Sequence, residues 1–204
     1  PARFFADCGC FDVPVNAAHC VWVDDADIDL MADKHVTAVY NPVSNLKLGS
    51  GVMPMKKLLE KGVSVALGTD GAASNNTLNI FKEMHIGAIL QKGISRDPSG
   101  IKACHLIEAA TVSGAAAQRR EKCGALSVGC CADLILVDLD TLNNIPCYDL
   151  RHTAVYSACA DNVVLTMIDG SILYENGEFT TIDEEKLKYD MRNECGGYFK
   201  NKKQ

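Results

Sequence analysis

Val63-Ser64-Val65-Ala66-Leu67 runs directly into Gly68-Thr69-Asp70-Gly71-Ala72-Ala73-Ser74-Asn75-Asn76, and that junction decides the fold. The first five residues read as a buried strand and the next nine as a glycine-rich loop, with a carboxylate where the strand ends. In α/β folds that rim is where metals and substrates bind. Two upstream apolar segments also end in polar groups, one at His19 and one at Asn41. Three strands aiming polar groups at one rim point to part of an enzyme active site.

Working outward, residues 15–23 (Val-Asn-Ala-Ala-His-Cys-Val-Trp-Val) form a near-continuous apolar run, as strands covered on both faces do. Asp24 and Asp25 offer an N-cap, and Ile28, Met31 and Ala32 follow at helical spacing. Val36 to Tyr40 predicts a second strand, closed by the turn signal Asn41-Pro42. Val43 to Gly51 reads as a polar loop that could cover a ligand. Pro54 opens a short helix and Gly62 ends it. Strand, helix, strand, helix, strand at intervals of about 25 residues is the rhythm of a parallel sheet. Longer helices are expected over about 77–92 and 99–118, and Ala2 to Asp7 reads as a helix end.

After Gly124 the pattern changes. Ala132 to Asp138 predicts a strand, and Val163–Ile168, Asp169-Gly170 and Ser171–Tyr174 predict a hairpin with a type I′ turn. Asn176-Gly177 marks a further turn, and a charged helix from Glu184 to about Asn193 finishes the chain. The expected organisation is a parallel α/β portion over 1–123, a small antiparallel sheet over 124–182 and a helix with a tail over 183–204.

Composition narrows the function. The 204 residues allow one large or two small domains with an ample core, and a net charge of −6 argues against nucleic-acid or anionic-membrane partners. The basic end (Lys200, Lys202, Lys203) reads as a solvated tail. Ten cysteines are many for this length. Cys20, Cys104 and Cys159 fall in apolar periodic segments and read as small buried hydrophobes, and neither Cys8-Gly9-Cys10 nor Cys130-Cys131 has zinc-knuckle spacing. A reducing cytoplasm is therefore expected. The chain begins at Pro1, which reads as a piece of a longer or processed protein.

Asp70 is the leading chemical candidate. A carboxylate at a strand end can hold zinc and pass a proton, or it can be the Asp of an ordinary Asp-Gly turn. His19 can be a ligand-side group or a satisfied core histidine. Asn41 and Tyr40 sit at the other strand end, where Asn-Pro is a common turn. His105 and Glu108 have H-x-x-E spacing, but they lie in a predicted amphipathic helix away from the rim. His35, His85 and His152 have no partners at metal spacing, and neither H-x-H nor H-E-x-x-H occurs.

Ala18-His19-Cys20-Val21, Asn41-Pro42-Val43-Ser44-Asn45-Leu46-Lys47-Leu48-Gly49-Ser50-Gly51 and Leu67-Gly68-Thr69-Asp70-Gly71-Ala72-Ala73-Ser74-Asn75-Asn76 together resemble the amidohydrolase superfamily. Within it they look most like 5′-methylthioadenosine/S-adenosylhomocysteine deaminases and related chlorohydrolases. Phe81-Lys82-Glu83-Met84, Gly129-Cys130-Cys131-Ala132-Asp133-Leu134 and Ile168-Asp169-Gly170 fit the same pattern, which covers nearly the whole chain.

The resemblance implies an α/β fold: the C-terminal part of a metal-dependent (β/α)8 TIM-like barrel, strands six to eight, plus part of a small β-sandwich. It implies hydrolytic deamination of an adenosine derivative with one divalent metal per site, Zn2+ or else Fe2+ or Mn2+. The metal activates water, and Asp70 ligates the metal and takes the water's proton. His19 steadies the attacking hydroxide and the developing oxyanion, while Asp70, Asn45 and Asn75 contact substrate. The attack is at C6 of an adenine ring, with Asp70 returning a proton to departing ammonia.

The family's H-x-H and H-x-x-E motifs would lie upstream of Pro1, so this portion alone is expected to be inactive. The implied partners are a nucleoside-type small molecule and a second copy, as a homodimer or larger. Two departures, Tyr40 where many relatives carry histidine and His85 where many carry arginine, bear on the substrate. The alternatives are a chlorohydrolase or guanine-type deaminase on the same scaffold, and a non-catalytic binding or assembly module.

Overall fold

The computed structural model describes residues 1–200, as two compact units. The basic tail expected at Lys202 and Lys203 lies outside the described residues, as does the side chain of Lys200. The first unit comprises residues 1–130 and 139–162; the second comprises 131–138 and 163 onward.

In the first unit the order is α1 (Ala2–Asp7), β1 (Asn16–Ala18), α2 (Asp25–Asp33), β2 (Thr37–Tyr40), α3 (Pro42–Lys47), α4 (Met55–Glu60), β3 (Ser64–Leu67), α5 (Ala72–Asn75), α6 (Ile80–Ser95), α7 (Ala103–Ala110), α8 (Val112–Ala117) and α9 (Leu150–Tyr156). The strands form a parallel sheet, β1-β2-β3, with Ala17 beside Ala38 beside Val65. Alternation then divides the sheet. Ala38, Tyr40, Val65 and Leu67 enter the core with Ile28, Met31, Leu58 and Leu106 of the helices. Ala18, Val39 and Ala66 stand in register on the opposite face.

Local chemistry sets several boundaries. Asp24 and Asp27 form a reciprocal capping box: Asp24 Oδ1 accepts Asp27 N at 2.8 Å, and Asp27 Oδ2 accepts Asp24 N at 3.3 Å. Gly62 ends α4 with φ 80°. Asn79 caps α6 by accepting Lys82 N at 3.2 Å, which starts that helix later than the apolar spacing alone predicts.

Four expectations need correction. The run 15–23 is a strand only over Asn16–Ala18, because His19 and Cys20 turn the chain with φ of 70° and 45°. Much of the expected loop 43–51 is helix α3, with Pro42 pre-setting its first turn and the distant Glu83 accepting Val43 N at 3.1 Å. The helix expected over 99–118 breaks at Thr111, whose hydroxyl bonds Ile107 O at 2.7 Å, giving α7 and α8. Cys159 is exposed rather than buried, since it follows α9 in a turn, while Cys20 and Cys104 are half-buried. The sequence reading also missed α9.

The second unit is an antiparallel sheet of β4 (Leu134–Val137), β5 (Val163–Ile168), β6 (Ser171–Glu175) and β7 (Glu178–Phe179), followed by α10 (Glu184–Lys200), longer than expected. Asp169 and Gly170 both take positive φ, 48° and 78°, as a type I′ hairpin requires. Asp169 N also donates to Asp133 Oδ1 at 2.8 Å. Asn176 and Gly177 repeat the turn at φ 47° and 98°. No described helix is long and apolar enough to cross a membrane.

Candidate active site

The three parallel strands end on one rim, and the chain turns there in an unusual way. His19 follows β1 and donates its backbone N–H to Val39 O at 2.9 Å, then leaves the strand at φ 70°. Asp70 leaves β3 at φ 59°. Two non-glycine residues in the left-handed region, beyond the ends of the two strands that flank β2, are the kind of backbone strain that accumulates at functional sites. Gly68, just before, is required by crowding, because a Cβ there would overlap the Oδ1 of Asn41.

These turns bring the two leading candidates together. His19 Nε2 lies 4.0 Å from Asp70 Oδ2, and both side chains are partly exposed. Two groups at that separation can each reach one intervening oxygen at about 2.8 Å. α3 orients both of them. Ser44 Oγ donates to Asp70 Oδ2 at 2.6 Å, and Asn45 Oδ1 lies 2.7 Å from His19 Nδ1. With the amide oxygen toward the ring, Nδ1 carries the hydrogen and Nε2 faces Asp70 with its lone pair. Ser74 adds a second hydroxyl to Asp70 Oδ2 at 2.8 Å.

The Ser44 hydroxyl, then that of Ser74, then the backbone N–H of Gly71 hold the Asp70 carboxyl down to about 2. Asp70 is therefore an anion at any physiological pH. Cys20, next to His19, is the opposite case. Burial pushes its thiol up to about 11, and Sγ is within 3.2 Å of Ala17 O, so it offers no thiolate nucleophile at neutral pH.

Asn45 is 1% exposed, and its Nδ2 has no acceptor among the described residues. Such a buried donor costs about 1–3 kcal/mol unless another oxygen reaches it. Asn75, also expected at the substrate, lies beneath the rim. Its Nδ2 donates to Thr69 O and to Glu83 Oε1, each at 2.6 Å, and its Oδ1 accepts the Thr77 hydroxyl at 2.9 Å. Tyr40 is fully buried on the helix side, with Gln91 Nε2 donating to its hydroxyl at 3.1 Å. Burial pushes that phenol up to about 12.

The other histidines stay apart from the rim pair. His105 caps α7 by accepting Lys102 N at 3.3 Å, and His85 and His152 stack edge-on against Tyr156. An apolar cavity of about 440 Å³ lies behind β1, lined by Phe5, Phe11, Trp22 and Met31 among others, and does not include Asp70.

Among the described residues no three His, Cys, Asp or Glu side chains converge as a metal site. A tetrahedral catalytic site needs three protein ligands. Asp70 fits as one of them: it is anionic, partly exposed, and bonded by both serines through Oδ2 rather than Oδ1. The remaining corners are not supplied by the described residues.

Sequence reasoning missed Ser44, Ser74 and Glu83 as supports. Glu83 carried a signal, an acid on the apolar face of a helix beside Met84, Gly87 and Ala88.

The chain is similar to known proteins over most of its length. A model described as the amidohydrolase family matches residues 4–173. A 5-methylthioadenosine/S-adenosylhomocysteine deaminase of Caldicellulosiruptor saccharolyticus is 47% identical over 192 residues, covering 94% of this chain and 45% of its own. A 5′-deoxyadenosine deaminase of Methanosarcina acetivorans is 44% identical, over 91% of this chain and 43% of its own. The chain thus spans less than half the length of these curated relatives. Among solved structures, an adenosine deaminase from Xanthomonas campestris with bound zinc superposes with a TM-score of 0.85 at 35% identity, over 87% of this chain and 41% of its own. An atrazine chlorohydrolase from Arthrobacter aurescens complexed with zinc superposes with a TM-score of 0.88 at 25% identity, over 95% and 43%.

Proposed function

This chain belongs to the amidohydrolase family, and from that membership we propose that it carries the aspartate–histidine side of a hydrolytic deaminase site for an adenosine derivative, S-adenosylhomocysteine or 5′-methylthioadenosine. The observation that carries the reading is the 4.0 Å approach of His19 Nε2 to Asp70 Oδ2 beyond the ends of β1 and β3, the two parallel strands that flank β2. Names of relatives support the substrate class: those at 44–47% identity are deaminases of adenosine derivatives.

The protein's own groups divide the work. Asp70, kept anionic by Ser44 and Ser74, would hold a divalent cation, zinc by analogy with the neighbouring structures. Such a cation, when bound, brings the pKa of water to about 7. His19, with Nδ1 occupied by Asn45, presents Nε2 to an oxygen beside Asp70 and can accept a hydrogen bond there or, protonated, donate one to a developing oxyanion. Asp70 would accept the proton of the attacking water as its oxygen bonds C6, and would deliver that proton to the C6 amino group, which leaves as ammonia when the C–N bond breaks. Asn45 Nδ2 is the substrate-side donor, and Asn75 acts on substrate through the loop it braces.

The wider architecture belongs to the same proposal. The parallel sheet is strands six to eight of a (β/α)8 barrel whose other ligands lie in a further portion, so the 204 residues alone are inactive. The antiparallel sheet is one layer of a β-sandwich. A cytoplasmic dimer or larger assembly completes the picture.

The test is turnover by the full-length protein, followed as ammonia release from S-adenosylhomocysteine, methylthioadenosine, guanine and a chlorotriazine. Ammonia from the two adenosine derivatives is expected. Chloride release from the triazine without deamination of either would overturn the assignment.

A further inference from the structure

Beneath the rim, a single buried carboxylate joins the two segments that carry the site. Glu83 lies in the first turn of α6, and its side chain is fully excluded from solvent. Oε2 accepts the backbone N–H of Val43 at 3.1 Å, and Oε1 accepts Asn75 Nδ2 at 2.6 Å. Val43 is in the first turn of α3, the helix bearing Ser44 and Asn45. Asn75 in turn grips Thr69 O, the carbonyl just before Asp70.

An acid in such a place is costly. Burial pushes its carboxyl above the ordinary glutamate range, against the smaller opposing effects of its two hydrogen bonds and of Lys82. Both recorded partners are N–H donors, so only an acceptor at each oxygen satisfies both. A cheaper apolar residue would fill the space but release both segments at once.

We propose that Glu83 is a positioning residue for the deamination: by holding Val43 and Asn75 together it sets Ser44 and Asn45 against Asp70 and His19. The proposal rests on the reading of Asp70 and His19 as the reacting pair. Glu83 touches neither of them. It acts through the N-terminal turn of α3 and through the Thr69 carbonyl, and supports of this kind typically change activity by about 10- to 100-fold.

Glu83→Gln tests this in the full-length protein. The volume is kept, but one oxygen becomes an NH2 that faces another donor, so one of the two bonds is lost in either orientation. Gln91→Leu is the control. Gln91 is buried in the same helix but bonds Tyr40 Oη and Met53 O on the core side.

Two readouts are used. The first is kcat and KM below the melting transition, where Glu83→Gln should lower kcat about 10- to 100-fold with KM changed far less. The second is the His19 ring-nitrogen NMR signals of the metal-free protein. They should move in Glu83→Gln toward a mixture of tautomers and stay in place in Gln91→Leu.

Unchanged kcat and ring signals in folded Glu83→Gln would overturn the proposal, as would an equal kcat loss in Gln91→Leu at matched loss of Tm. If Glu83→Gln fails to fold, Glu83→Asp replaces it under the same criteria. If the wild-type protein deaminates no adenosine derivative, the functional reading fails, while the ring signals still decide the positioning role.

Discussion

The two units meet the problem of burial in opposite ways. Every buried apolar side chain among the described residues belongs to the first unit; the second has none. Yet β4 is as apolar a strand as the chain contains, Leu-Ile-Leu-Val. Its neighbours Ile135 and Leu136 point to opposite faces, and they are 48% and 52% exposed. Parallel strands arrive with crossover helices that cover them, whereas antiparallel strands need only a two-residue turn. Pairing can therefore be satisfied locally while burial is not, and a lone sheet of this kind gains stability from a further layer.

The proposed site lies in the well-buried first unit, so the largest expected effect is there. If the full-length protein deaminates as proposed, Asp70→Asn should lower its kcat/KM by about 10²- to 10⁴-fold with little change in Tm. A variant that unfolds instead would make Asp70 a fold element. Leu106→Ala, at a fully buried position of α7, should cost about 2–5 kcal/mol in denaturant titration.

Ile135→Ala probes the open sheet. If the full-length protein covers that face with a second sheet, the cost should reach about 2 kcal/mol; a cost within about 0.5 kcal/mol would leave the face as open as it stands. Gly170→Ala, at φ 78°, should cost about 1 kcal/mol, because the turn needs the left-handed region.

The smallest effect is in pH dependence. Asp70 in the fold sits near 2, below its ordinary value of 3.8. Its contribution is therefore fully present above that ordinary value and is lost as pH falls toward 2. Ser44→Ala should weaken the depression. The part of its stability deficit that comes from ionised Asp70 should shrink over that range in parallel urea titrations.

Much of this was legible in the residues themselves. Apolar runs located β2 and β3, and turn residues located the type I′ turn at Asp169-Gly170 and the further turn at Asn176-Gly177, since those signals are local. The rim was legible because Asp70 closely follows one apolar run and His19 interrupts another. α3 was not, because the acceptor for its first turn, Glu83, is supplied by α6. The break at Thr111 was hidden for a related reason: the helical spacing of apolar residues continues across it, and only the backbone there departs. Asn45 and Asn75 sat alike in their motifs, but folding separated them, one against His19 and the other into the scaffold.

By itself the amino-acid order determined most strand positions, the type I′ turn at Asp169-Gly170, the family and the identity of the acid at the rim, because periodicity, turn preference and motif all act between near neighbours in the chain. Only the tertiary structure decided that Asp70 would meet an imidazole, which oxygen the serines would hold, and that one buried glutamate would carry two segments of the site. Those outcomes depend on contacts between residues far apart in sequence, whose angles and distances are set by packing around a shared core.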